Sequence, residues 1–351
     1  MVVVTRTRVR ALAAVVAALL LLGGCAAPRG NKVMLIKVLV SEPVVVDKAD
    51  APDPVVPVTW PLTGVQTAEV ADRPALNVKI ENSAAARPQT GLGSADVVWE
   101  EMVEGGITRL VAVFHSQVPG TLGPIRSLRP MDAAISGPFG GLFVFSGGQR
   151  QFVNQVAATG LTMISHDGGD AGFYRTSDRA APHNVYGSTD DFLAAGEGLI
   201  PPPPQFEFSR SPEDATALAG TAVSQVAISF PASDPGWTWD GETWLRTEGG
   251  QPATTTDSGQ ISAANVVVLR VQVRNSGARD PGGNPVPETI LTGSGEAIVF
   301  TGGHKIEATW NKPEVGSVLT LTTADGEPVL LAPGNLWVEL VPVSGSSVST
   351  S

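Results

Sequence analysis

The sequence predicts an α+β fold: a mixed α/β domain from Pro61 to about Ile200, followed by a mostly antiparallel β domain over 201–343. Three observations predict it. In the first half, short β-type runs alternate with helical and glycine-rich stretches, as mixed layers require. Pro201 to Pro204 are four consecutive prolines, which neither a helix nor a central strand accepts, so they mark a stiff boundary. Beyond them, short apolar runs recur between Gly, Asp, Asn and Pro turns, the signature of antiparallel strands.

Taken in order, the first element is an export leader over 1–24. Arg6, Arg8 and Arg10 precede an apolar run from Ala11 to Leu22, which ends in Leu22-Gly23-Gly24-Cys25. The run is shorter than a membrane-spanning helix needs. An apolar residue, two small residues and a thiol resemble the lipobox of bacterial lipoproteins, so Cys25 is the expected lipid attachment point. Residues 25–60 then read as a Pro-rich tether, with one strand candidate at Val33 to Val40. Strands are expected at Ala75–Ile80, Val97–Met102, Leu110–Phe114 and Leu142–Phe145, and helices at Gln149–Ala158 and Asp190–Ala195. The second half predicts a polar helix at Pro212–Leu218. Strands should follow at Val223–Phe230, Trp237–Leu245, Val266–Val273, Glu296–Phe300, Lys305–Trp310, Val318–Thr322 and Leu336–Pro342, with a hairpin turn at Asp325-Gly326. The Gly/Ser-rich end, 344–351, reads as a disordered tail.

Composition removes several functions. Cys25 is the one cysteine, so the folded part has neither a disulfide, nor a cysteine metal site, nor a cysteine nucleophile. The formal charge is −11, and loss of the three leader arginines takes it to −14. Such acidity argues against nucleic-acid binding and against lying flat on anionic lipid, which leaves the acyl anchor as the membrane contact. No cofactor or metal motif is present: neither a phosphate-binding loop, nor a dinucleotide fingerprint, nor an HExxH helix.

The cations are unevenly distributed. Pro61 to Ile200 holds eight arginines against the single Lys79, while the rest of the mature chain has six arginines and five lysines. Guanidinium groups recognise carboxylate and phosphate bidentately, so the excess points to an anion site or to buried ion pairs. Arg126 and Arg129 lie three apart between Pro124 and Pro130, and one helical turn would put both on one face. Upstream, Glu100, Glu101 and Glu104 precede a Gly-Gly turn and Arg109. In a strand, Glu100 and Glu104 would face one side and Glu101 the other. Downstream, Arg175, Arg179, His183 and Asn184 gather in one loop. Glu100, Glu104, Arg109, Arg126, Arg129, Arg175, His183 and Asn184 are therefore the candidate ligand-binding residues, and a structural network of Glu100 or Glu104 with Arg126 or Arg129 is the competing reading. His166-Asp167-Gly168-Gly169-Asp170 has metal-capable side chains at a spacing that fits no ligand set. His115 and His304 stand alone.

Several runs carry a family resemblance: RPALNVKIEN (Arg73 to Asn82), the stretch from Ala86 to Phe114, GPIRSLRP (Gly123 to Pro130), FYRTSDRAAPHN (Phe173 to Asn184), ATWNKPE (Ala308 to Glu314) and PGNLWVELVP (Pro333 to Pro342). They resemble the YerB-like lipoproteins, a two-part domain family of unknown function, over roughly Pro61 to Pro342. The chain departs at Phe145-Ser146-Gly147-Gly148, where a His-Ala-Gly-Gly-like segment is expected. Two functions follow as expectations: an envelope module that binds an anionic wall polymer or an envelope protein, or an enzyme acting on an anionic or pyrophosphate-linked wall polymer. Both act at the outer face of the bacterial cytoplasmic membrane.

Overall fold

The strands Val97–Met102, Thr108–Phe114, Leu142–Phe145 and Leu336–Pro342 are apolar or buried at nearly every position rather than alternating, which dictates a sheet covered on both faces. The computed structural model describes residues 57–351. The leader, Cys25 and the Val33–Val40 strand candidate lie outside the described residues. Val55–Ser351 form one compact unit.

That unit is α+β and is built on one twelve-stranded sheet to which both halves contribute. From the first half come β1 (Leu76–Glu81), β2 (Val97–Met102), β3 (Thr108–Phe114), β4 (Leu142–Phe145) and β5 (Thr162–Ser165). Helix α1 (Asp132–Ser136) precedes β4. Helix α2 (Arg150–Ala157) makes the crossover between the parallel strands β4 and β5. Helix α3 (Thr189–Ala194) is capped by the Ser188 hydroxyl, which accepts from the Asp191 N–H. The second half adds β6 (Gln225–Ser229), β7 (Pro235–Trp239), β8 (Trp244–Glu248), β9 (Asn265–Arg279), β10 (Gly293–Thr301), β11 (His304–Lys312), β12 (Leu336–Pro342) and β13 (Ser347–Thr350).

The large sheet runs Thr320–Thr322, β11, β10, β9, β12, β2, β3, β1, β4, β5. β12 is the seam. It pairs parallel with β9 on one side and with β2 on the other, Glu339 lying opposite Glu100. One face carries Val97, Trp99, Val111, Val113, Phe143 and Phe145, packed with Phe152 and Val156 of α2 and Ile135 of α1. The other carries Val98, Leu110, Ala112, Val266, Val268 and Trp337 beneath a smaller sheet of β6, β7, β8 and β13, which supplies Val226, Ile228, Trp237 and Trp244.

Four expectations are corrected. Trp237–Leu245 is a hairpin rather than one strand, because Asp240 accepts the N–H groups of Glu242 and Thr243 and Gly241 takes φ +105°. Pro212–Leu218 forms two short 3-10 turns, not a helix. The expected disordered tail is β13, paired with β6 from Ser229–Ser347 to Val226–Thr350. Arg126 to Arg129 is extended rather than helical, because its backbone is used laterally: the Arg126 N–H donates to Lys79 O, the Leu128 N–H to Gly147 O, and Arg126 O accepts from Ser146. The Asp325-Gly326 turn is present, with Gly326 at φ +85° and Thr322 bridged to Pro328.

Candidate functional site

Period two in β1, β2 and β3 sends charged residues to both faces of the central sheet. Glu100 faces the small sheet. Glu101 faces α1. The sequence expectation that neighbours on β2 part company is realised, and each carboxylate meets a different cation.

Beneath the small sheet, Arg246 of β8 is 1 % exposed and makes hydrogen-bonded ion pairs with Glu100 at 2.6 Å, Glu248 at 2.6 Å and Glu339 at 2.9 Å. Its guanidinium carbon lies 4.3 Å from the Trp337 ring centroid and 5.3 Å from that of Trp237. Burial by itself would depress its pKa, but Glu100, Glu248 and Glu339 outweigh that and raise it. Glu339 pays with its own ionisation: burial and the facing Glu100 push its pKa well up. Asn82 donates to Glu100, Thr108 and Glu248, and Arg87 closes the group on Glu248 at 3.0 Å. Arg246 and Arg87 thus meet the carboxyl groups of Glu100, Glu248 and Glu339, and Arg246 is enclosed by its partners.

On the α1 face, Lys79 of β1 is fully buried between Glu101 and Asp132, 2.8 Å from the latter. Burial and then Asp132 raise the Glu101 pKa to about 8. A protonated Glu101 leaves one lysine against one aspartate, a neutral pair. Glu104, in a turn beyond β2, takes Arg129 through two nitrogens, Nε at 2.6 Å and Nη2 at 2.7 Å.

A third group lies where β1 ends. Glu81 is 5 % exposed and accepts from His183 Nδ1 at 2.8 Å and from Ser83 at 3.0 Å, with Arg126 Nε at 3.5 Å. Arg109 stands in register with Glu81 on one side and Glu101 on the other. Its guanidinium donates to the Ser127 carbonyl at 2.8 Å and forms no ion pair among the described residues. Burial, then the neighbouring Arg129 and Arg126, lower its pKa to about 9. Two cationic or protonatable groups, Arg126 and His183, therefore share Glu81, with the Arg109 guanidinium beside them. His183, 28 % exposed, and Arg126, 23 % exposed, open the group to solvent.

The structure thus brings Arg109, Arg126 and His183 together and commits Glu104 and Arg129 to each other beside them. Glu100 belongs to the closed cluster instead. Arg175 and Asn184 serve the loop that presents His183: Arg175 donates to the Asn184 side-chain Oδ1 at 2.7 Å, and Asn184 Nδ2 donates to Thr176 O at 2.9 Å. Arg179 pins the same loop to the carbonyls of Ala86 and Pro88. At the point of family departure, Ser146 faces Ser127 with hydroxyls 3.4 Å apart. Trp237 and Trp239 offer no exposed sugar platform, since Trp237 is core and Trp239 is half-buried against Trp244. Sequence reasoning missed Glu81. The alternation Asn77, Lys79, Glu81 carried the signal for it, because these side chains share the polar face of one strand. Arg246, Glu248 and Glu339 carried none, being more than ninety residues from Glu100 or from one another across the chain, Glu248 and Arg246 apart. Among the described residues, no group of three or more His, Cys, Asp or Glu is arranged to hold a metal, and no helix is long and apolar enough to cross a membrane.

Residues 62–199 match the N-terminal domain, and residues 226–338 the C-terminal domain, of the family described as protein of unknown function DUF3048. The chain is 28% identical over 324 residues to "Putative lipoprotein YerB" of Bacillus subtilis (strain 168), covering 86% of this chain and 92% of the relative. The chain belongs to the YerB-like family. The crystal structure of the YerB protein from Bacillus subtilis superposes with a TM-score of 0.70 at 26% identity, over 83% of this chain and 99% of that one. Both halves of the YerB-like pair therefore lie within the unit described above, and the Glu100–Arg246 ion pair and the Trp99–Val338 strand pairing tie one matched half to the other.

Proposed function

We propose that this YerB-like protein is a lipoprotein held at the outer face of the bacterial cytoplasmic membrane by acylated Cys25, and that its Glu81, Arg109, Arg126 and His183 group binds an anionic substituent of a cell-envelope polymer. One observation carries the binding reading: Arg126 and His183 share the single carboxylate Glu81 beside Arg109, which forms no ion pair among the described residues, whereas Arg246, Lys79 and Arg129 each hold a carboxylate of their own. A solvent-open surplus of guanidinium is matched by a phosphate or carboxylate from outside. The leader, the lipobox-like end and the lipoprotein relative support the placement.

The test uses the full chain in detergent with polyglycerol phosphate as the probe. Saturable, salt-sensitive binding is expected, and Arg126→Ala should weaken it about tenfold, the worth of one charge-assisted contact. Equal binding by wild type and Arg126→Ala would sink the anion site. The Glu81–His183 pair supports a second reading, an enzyme on an anionic or pyrophosphate-linked polymer. A carboxylate on Nδ1 fixes the proton there and leaves Nε2 as a base. His183→Gln separates the two, since a binding module keeps most of its affinity and an enzyme loses turnover of the same polymer.

A further inference from the structure

Away from that site, the large sheet opens where β9 changes partners. β9 pairs with β10 as far as Leu269–Ala297, then takes up the strand Pro285–Ile290 from Gln272–Ile290 onward. Arg270 and Val271 fall between the two ladders. The gap is a cavity of about 450 Å³ lined by Arg270, Gln272, Ile290, Thr292, Ser294 and Glu296, with Trp310 and Val343 behind. That volume is within the range of small-ligand sites.

Two charges line it without partners of their own. Arg270 forms no ion pair among the described residues. Its Nη1 is buried with no hydrogen-bond partner, and Nη2 reaches only the Ser346 carbonyl, at 3.5 Å. A buried guanidinium nitrogen left unpaired is costly, and an incoming oxygen anion removes that cost. Glu296 is exposed and also forms no ion pair among the described residues. It sits one step beyond the Leu269–Ala297 pair, so its register position faces Arg270. The back wall is fixed: the Trp310 indole donates to Arg270 O at 3.1 Å and fills the space over Gly295, where a Cβ would lie 2.6 Å from the indole nitrogen.

We propose that this cavity binds a zwitterionic amino acid or short peptide, with the carboxylate on Arg270, the ammonium on Glu296 and the small apolar body against Ile290 and Val343. The claim does not depend on the Arg126 group, and its probes carry no phosphate.

Titration calorimetry of the full chain in detergent with dialanine tests it. Saturable one-to-one binding is expected, with Arg270→Gln about tenfold weaker. N-acetyl-dialanine lacks the ammonium and should bind wild type and Glu296→Gln alike, whereas dialanine itself should bind Glu296→Gln more weakly than wild type. Ser294→Phe blocks the cavity from an exposed rim position and should abolish binding in a chain that still melts cooperatively, which covers the case in which Arg270→Gln does not fold. No saturable binding of dialanine by wild type overturns the proposal. So does undiminished binding by Ser294→Phe or by a folded Arg270→Gln, the outcome expected if Arg270 and Glu296 only pair with each other.

Discussion

Arg246 and Arg126 are both arginines set against the polar positions of the same sheet, yet they live in opposite electrostatic situations. Arg246 is enclosed by three carboxyl groups and two indoles and is almost wholly out of water. Arg126 shares Glu81 with His183 beside Arg109, which forms no ion pair among the described residues, and keeps a quarter of its side chain exposed. Counting carboxylates per cation separates a brace from a contact surface. An enclosed guanidinium with both Nη nitrogens committed has little left to offer a ligand, and its removal strands its partners. A guanidinium with a shared partner and open access can be spared by the fold and still be needed by a ligand.

The largest test of that contrast is Arg246→Met. Breaking a buried ion group by removing one partner leaves Glu100 without a cation and Glu248 with Arg87 alone, so unfolding free energy in denaturant should drop by about 3–5 kcal/mol. A drop below about 1 kcal/mol would remove the distinction between the two regions.

The next effect is a pH slope from Glu101. Its carboxyl holds a proton to about pH 8 in the folded chain, where burial and Asp132 raise it, and releases it near 4.5 when free. Between those values the unfolded state binds fewer protons, so this contribution is fully present below about pH 4.5 and is lost as pH rises towards 8. One proton changes stability by about 1.4 kcal/mol per pH unit. Glu101→Gln should flatten the fall in stability between pH 5 and 8, measured by denaturation at each pH. An unchanged slope would mean that Glu101 is ionised throughout.

Smaller still is Arg129→Ala. It strands Glu104 at a partly wet site, and the expected loss is about 1–3 kcal/mol. Arg126→Ala closes the series. Stability should change by less than about 1 kcal/mol, as for other partly exposed pairs, while polyglycerol phosphate binding collapses. A stability loss as large as that of Arg246→Met would make the open group another brace.

The local features were legible and the distant ones were not. VVWEEM, LFVF and LWVELVP announce buried strands through their apolar content alone, and their observed limits are Val97–Met102, Leu142–Phe145 and Leu336–Pro342. The Trp239-Asp240-Gly241 turn was equally visible, but the flanking tryptophans mask it as one apolar run. Gly and Ser made the C-terminal end read as a tail, although the alternation in Ser347-Val348-Ser349-Thr350 suits an edge strand that packs a half-buried Val348 against the core. The helix expected at Arg126 to Arg129 failed because lateral pairing with Lys79 and Ser146 used its backbone groups, and no local propensity reports that. At the candidate site, three of the eight expected residues, Arg109, Arg126 and His183, converge. Glu100 went to a partner 146 residues away, a pairing set by the course of the chain through the sheet.

That course also has a consequence for how the molecule is made. β12, almost the last strand in the sequence, occupies the middle of the large sheet between β9 and β2. Until Leu336–Pro342 has emerged, β2 and β9 each present an open edge, and neither Glu100 nor Arg246 has Glu339 for company. The first half therefore cannot close its core during synthesis, and acquisition of the native state waits for nearly the whole polypeptide.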